Sequence, residues 1–182
     1  MEIGFTIMQN HSSANTSMKQ VPAAHKIIAA LDGYREFNVD IGGGKYNAYM
    51  DVLHDIGVEC AVYDPMNRSE EDNEDVQVAC DLINGFDTAT CHNVLNVIDD
   101  IDARLAVIQL CFAMTSIYGV AYFSVYEGNK TGKGRISKKD CWQENRVTKD
   151  YMSEIGQIFH DVERVGKLII ASKKRISISH LE

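Results

Sequence analysis

The sequence predicts an α/β fold: a mostly parallel central sheet that ends in an antiparallel hairpin, with helices on both faces. Three observations carry this expectation. Short β-branched and aromatic runs alternate with segments of helical period between residues 36 and 126. Three consecutive glycines, Gly42-Gly43-Gly44, follow the first apolar run, where a strand turns into a helix. Near the C-terminus two apolar runs flank a single glycine, Gly166, the pattern of a β-hairpin.

The elements follow in order. Residues 1–16 are polar and mixed. Val21 to Leu31, with Ile27, Ile28 and Leu31 on one side, predicts a short helix stopped at Gly33. A strand is expected over 36–41, a helix over 47–56 and a second strand over 59–63. An acidic loop over 68–75 then leads to a third strand at 76–80, where Val76-Gln77-Val78 alternates, and a fourth strand covers 86–91. An amphipathic helix is expected over 102–114 and a fifth strand over 117–126. Residues 127–149 are polar and rich in Gly and Lys and predict a long loop. A helix over 150–159 precedes the hairpin of 162–165 and 167–172. No linker or repeat interrupts the chain, so residues 1–35 form an arm and helix and residues 36–182 one domain. Leu181-Glu182 reads as a cloning remnant.

The bulk numbers bound the function. At 182 residues the chain can bury a substantial core. Its net charge of −8 argues against a protein coated with nucleic acid. No apolar run approaches the roughly 20 residues of a membrane span, and the N-terminus lacks a secretory pattern. Cys60, Cys80, Cys91, Cys111 and Cys141 form no CxxC and read as reduced core residues, with no metal site, in a cytoplasmic protein.

The glycine stretch carries the chemistry. Phe37 to Ile41 closes on an acid, Asp40, just before the glycines, and Cys60 to Tyr63 ends in a second acid, Asp64. Glycines let the backbone approach a ligand, and an acid closing the next strand can accept bonds from two ribose hydroxyls. A dinucleotide loop calls for glycine at position 47, where Asn47 stands. A phosphate loop calls for Ser or Thr after Gly44-Lys45, where Tyr46 stands. Asp40 repels a pyrophosphate and attracts a cationic amino-acid end, which points to S-adenosylmethionine.

These residues resemble class I S-adenosylmethionine-dependent methyltransferases, whose Rossmann-like fold the resemblance implies here. Val39 to Gly44 is similar to their first motif, and Phe86 to Ile98 to their fourth-strand motif. More narrowly, Tyr63-Asp64-Pro65 with Asn93 to Asp99 and Arg104 resembles small methyltransferase-like proteins of phages and of bacterial DNA-phosphorothioation systems. The resemblance implies S-adenosylmethionine as cofactor and S-adenosylhomocysteine as product. It assigns Asp40, Gly42, Gly43 and Gly44 to the amino-acid end and Asp64, Pro65 and Met66 to the ribose side. Asp81 and Leu82 fall to the adenine, with His92, Asn93, Val94 and Val97 along the fourth-strand turn. Lys19, in the segment 17–21, is expected to cover the cofactor from the other side. The family pattern has glycine at position 46, so Tyr46 is a departure that forms a wall or crowds the methionine end.

Candidate catalytic groups stand where strands end: His92, Asn93 and Asn96 after the fourth, Tyr126 and Glu127 after the fifth. A packing role for His92 and a capping role for Asn93 stand beside these. The chain lacks the Asn/Asp-Pro-Pro-Tyr motif of amino-methylating DNA enzymes, and Cys91 lacks the Pro-Cys context of cytosine C5 enzymes. Residues 128–149 carry Lys130, Lys133, Arg135, Lys138, Lys139, Arg146 and Lys149 around Trp142. They form a substrate lid, a nucleic-acid contact, or both. A non-catalytic cofactor-binding module and, behind it, a nucleotide-binding oxidoreductase are the rival readings. The methyl acceptor and the oligomeric state are not specified by the sequence.

Overall fold

The computed structural model describes residues 11, 19–137 and 140–174. The expectations for residues 1–10, 12–16, Ser17, Met18, Lys138, Lys139, Leu181 and Glu182 lie outside the described residues. A six-stranded sheet organises the fold, in the order β2-β1-β3-β4-β8-β7. These are β1 Phe37–Ile41, β2 Glu59–Tyr63, β3 Phe86–His92, β4 Thr115–Ser124, β7 Asp161–Val165 and β8 Leu168–Ser172. The first four run parallel, while β8 pairs antiparallel with both β4 and β7. Val165 pairs with Leu168 across a two-residue turn whose Gly166 has φ +60°, a value open to glycine at little cost.

β1 lies between β2 and β3, and its residues Asn38 to Ile41 are buried, as a strand covered on both faces requires. Successive side chains go to opposite faces, and each face is covered by helices. On one face α1 (His25–Ala30) and α2 (Ala48–Asp55) bring Ile28, Tyr49 and Leu53 against Tyr122 and Leu168. On the other, α3 (Glu70–Leu82), α4 (Ile101–Met114) and α5 (Met152–Ile155) pack Val76, Ile108 and Ile155 against Val39, Ala89 and Phe123. α4 starts where the Asp100 carboxylate accepts the Ala103 N–H at 2.8 Å. Four of the five cysteines are buried, and Cys60 is half-buried. No described helix is long and apolar enough to cross a membrane.

The third strand expected at 76–80 is instead the second half of α3. Ser69 and Asp72 close a capping box: the Asp72 N–H donates to Ser69 Oγ at 3.1 Å, and the Ser69 N–H donates to the Asp72 carboxylate at 3.2 Å. The acidic run Glu70-Glu71-Asp72 is the first turn of that helix, where acids are favoured. Burial falls on Asn73, Val76 and Cys80, a helical spacing, while Val78 is exposed. With no strand between α3 and β3, β2 is an edge of the sheet. The loop after β4 also departs from expectation, holding a small hairpin of β5 (Arg135–Ile136) and β6 (Trp142–Gln143). The helix expected over 150–159 is a 3-10 turn, Thr148–Tyr151, followed by α5.

Candidate functional site

A cavity of about 890 Å³ opens at the carboxyl ends of the parallel strands, within the size range of small-molecule sites. Its floor is built by β1 and β3. A file of polar groups runs between them toward the cavity. Thr88 Oγ1 donates to Asn38 Oδ1 at 2.8 Å, Asn38 Nδ2 donates to Thr90 Oγ1 at 3.2 Å, and Thr90 Oγ1 donates to Asp40 Oδ1 at 2.8 Å. Asp40 tops this file, 4% exposed. Burial pushes its carboxyl up to about 7; the Thr90 bond opposes this, and nearby Asp64 adds to it. The group is therefore poised near neutrality, and a cation beside it would hold it ionised.

The glycines follow at once. Gly42 and Gly44 have φ of +72° and +77°. A Cβ on Gly42 would meet Val94 Cγ2 at 2.5 Å, and one on Gly43 would meet Asp40 Oδ2 at 2.3 Å. At Gly42 and Gly43 there is thus space only for bare backbone. Arg68 straps it: Nε donates to Gly44 O at 2.7 Å and a terminal nitrogen to Asn47 Oδ1 at 2.9 Å. Tyr46 lines the cavity, with the ammonium groups of Lys19 and Lys45 at 5.2 and 5.3 Å from its ring centre.

Asp64 ends β2 on the cavity wall with all four lone-pair directions occupied. Oδ2 accepts the Gly44 N–H at 2.8 Å and Asn67 Nδ2 at 3.0 Å, while Oδ1 accepts the N–H groups of Met66 at 2.9 Å and Asn67 at 3.1 Å. Asn73 of α3 fixes the backbone behind it, accepting the Asp64 N–H at 2.8 Å. A ribose hydroxyl at Asp64 would therefore exchange with the Asn67 amide, the one mobile side chain among the four donors.

On the other side of the β1 turn a chain of side chains leads out of the cavity. His92 Nδ1 lies 2.8 Å from Ser124 Oγ and Nε2 lies 3.4 Å from the Tyr49 hydroxyl. Tyr49 and Tyr34 hydroxyls are 2.6 Å apart, and Tyr34 is 3.1 Å from His25 Nδ1 on α1. Burial, and then His25, push the His92 pKa down to about 3, so its imidazole is neutral at physiological pH. Burial pushes both phenols above their ordinary value.

Of the sequence-predicted residues, Asp40, Gly42, Gly43, Gly44, Asp64, Pro65, Met66, His92, Asn93, Val94, Val97 and Tyr126 all line the cavity. Asp81 and Leu82 do not: they close α3, with Leu82 77% exposed, because the strand expected to carry them is a helix. Lys19 is exposed and reaches the cavity only through Tyr46. Asn93 adopts φ +59°, its N–H donating to Ser124 O at 2.8 Å, so its backbone makes the turn after β3. Asn96 is buried and joins the turn to the next loop, its Oδ1 accepting the Tyr126 N–H at 3.3 Å. Cys91 is buried, and its neighbour Cys111 and burial push its thiol up. Trp142 stacks on His11 at 5.3 Å and donates Nε1–H to Glu144 at 2.7 Å. Lys130, of the expected lid, and Gln20 and Val21, of the segment expected to cover the cofactor, also line the cavity, whereas sequence reasoning missed Tyr49, Asn67, Ser124, Lys167 and the α1 approach from Pro22 to Ala24. Ser124 alone had a signal, its place at a strand's carboxyl end.

No protein-family model matches the chain, and no curated protein matches it. Solved structures do. The chain is similar to the sugar N-methyltransferase KedS8 from Streptoalloteichus sp., with a TM-score of 0.60 at 10% identity over 84% of this chain and 85% of that one. It is similar to the 1,6-didemethyltoxoflavin-N1-methyltransferase of Burkholderia thailandensis, whose structure holds its substrate and S-adenosylhomocysteine. There the TM-score is 0.59 at 15% identity over 89% and 78%. A S-adenosylmethionine-dependent methyltransferase from Clostridium acetobutylicum gives 0.50 at 10% identity over 81% and 87%. Likeness at such identities establishes the fold, which is the Rossmann-like methyltransferase fold.

Proposed function

We propose that the chain is a small S-adenosylmethionine-dependent methyltransferase. The observation that carries this reading is the pairing of a buried acid near neutrality, Asp40, with a glycine turn too tight for any side chain, beside an Asp64 that ends the next strand. A methionine ammonium would pair with Asp40, and a ribose hydroxyl would take the place of the Asn67 amide on Asp64. Met66, Val94 and Val97 would hold the adenine end, and Asp81 and Leu82, outside the cavity, would not. When bound, the cofactor supplies an electrophilic methyl on a sulfonium.

The chain's own work is then alignment and proton handling. Asp40, Asp64 and the glycine turn fix the donor at the ends of β1 and β2. The acceptor occupies the part of the cavity beneath Tyr126, Glu127 and Gln143. An acceptor N–H or O–H can pass its proton to Ser124 Oγ as the serine proton moves to His92 Nδ1 and the His92 Nε2 proton leaves for the Tyr49 hydroxyl, so that the ring stays neutral and the proton passes through Tyr34 to His25 Nδ1. A small-molecule acceptor is favoured over nucleic acid, because Trp142 and Arg146 of the basic loop are engaged within the protein.

The test is transfer of tritium from methyl-labelled S-adenosylmethionine into DNA, RNA, protein and small-molecule fractions of a bacterial lysate. The reading expects label in the small-molecule fraction that depends on Asp40. Bound cofactor with no label in any fraction would point to the non-catalytic module instead.

A further inference from the structure

The two ends of the cavity differ in charge. The glycine turn and both aspartates lie at the ends of β1 and β2. Lys130, in the loop after β4, and Lys167, in the turn between β7 and β8, lie at the opposite end of the sheet order. β7 runs parallel to β4, so its following turn projects from the same carboxyl edge as the cavity. Lys167 thereby reaches the cavity at least three strand spacings, or roughly 14 Å, from the glycine turn.

Both ammonium groups share one counter-ion. Lys167 Nζ is 3.2 Å and Lys130 Nζ 3.4 Å from the same oxygen, Glu127 Oε2. The second oxygen is taken: Oε1 accepts the Thr148 N–H and the Thr148 hydroxyl, each at 2.9 Å. These bonds, led by the Thr148 backbone, hold the Glu127 carboxyl down at about 2, so it carries one full negative charge at neutral pH. One carboxylate facing two lysines leaves a net positive charge at the acceptor end, in a chain whose total is −8. Because the two cations flank one oxygen, a single ligand anion can bridge them. Exposed Tyr126 offers an aromatic face beside them.

We infer that the methyl acceptor is a small organic molecule bearing a carboxylate or phosphate, which sits between Lys130 and Lys167. The word acceptor rests on the methyltransferase reading; the anion site rests on the lysines alone. The bound anion supplies the counter-charge that Glu127 cannot, and it fixes the far end of the acceptor so that its nucleophile faces the cofactor end.

Ligand-observed saturation-transfer NMR on the full chain tests this with benzoate, phenyl phosphate, neutral benzamide and a single-stranded oligonucleotide, each with and without S-adenosylhomocysteine. Benzoate or phenyl phosphate is expected to bind at least tenfold more tightly than benzamide, and the stronger of the two identifies the anion. The double variant Lys130→Gln/Lys167→Gln should abolish that preference. Glu127→Gln, which keeps the acceptor for Thr148 but removes the competing charge, should strengthen anion binding several-fold. A merely structural lysine pair would not give opposite signs. Equal binding of benzamide, or anion binding untouched by the double variant, overturns the inference. Lysine-dependent oligonucleotide binding without small-anion binding overturns it in favour of nucleic acid. Failure of S-adenosylhomocysteine to bind counts against the methyltransferase reading, while the anion comparison without it still decides the site.

Discussion

Asp40→Asn should make the protein more stable and worse at binding its cofactor, with a pH dependence that separates the two effects. Ionising a carboxyl raised from 3.8 to about 7 costs the native state roughly three pK units, a ceiling of about 4 kcal/mol. The sign follows from where the proton sits. Below pH 3.8 Asp40 is protonated in both folded and unfolded chains, and no cost arises. Between pH 3.8 and about 7 the unfolded chain has released its proton while the native one keeps it, so native stability falls as pH rises. Above about 7 the cost is constant. Asparagine keeps the acceptor for Thr90 Oγ1 and never ionises. The gain should be near zero at pH 4, grow through pH 6, and reach at least about 1 kcal/mol at pH 8, a rise of some 2–4 °C in Tm. Urea unfolding of both proteins at pH 4, 6 and 8 measures it. Loss of the charge that pairs with an ammonium should weaken S-adenosylhomocysteine by about tenfold or more at pH 8. A variant less stable than the parent at pH 8, or a stability difference indifferent to pH, would refute the reasoning.

Other outcomes follow from the same geometry. Gly42→Ala adds a Cβ 2.5 Å from Val94 at φ +72° and should cost about 1–3 kcal/mol in urea unfolding while closing the cradle to S-adenosylhomocysteine. Glu154→Gln leaves the buried Arg104, 2.9 Å away, and Arg146, 2.6 Å away, without their shared charge, and should destabilise by about 3–5 kcal/mol. His92, lowered to about 3 by burial, should show neutral ring-nitrogen shifts by NMR at pH 5. Native stability tied to it is present above pH 6.5 and lost as pH falls toward 3, and a protonated ring at pH 6 would contradict its placement.

The sequence made the β1–α2–β2 unit legible because its signals are local: a β-rich run, a glycine stop, a helical period and a second run. The hairpin at Gly166 was equally plain. α3 was misread because Val76-Gln77-Val78 alternates like a strand, although Ser69 and Asp72 three residues apart carried the capping signal that decides it. The same segment carries Asp81 and Leu82, which the resemblance assigned to the adenine and which, at the end of a helix, do not line the cavity. The cavity's strand-end residues were readable because motif and site coincide along the chain. Tyr49 and Lys167 were not, since each reaches the cavity through sheet order and helix packing. Asn67 was hidden for another reason: its role comes from completing the lone pairs of Asp64, which spacing does not encode.

The central claim is that Asp40 and the glycine turn hold the amino-acid end of an adenosyl cofactor. Isothermal titration with S-adenosylhomocysteine at pH 7, in two buffers of different ionisation enthalpy, tests it most directly. Asp40, raised to about 7, is near half-protonated in the free protein, and a bound ammonium ionises it. The account predicts saturable binding with net release of protons, lost in Asp40→Asn. No heat at millimolar ligand, or binding with no proton released, would contradict it.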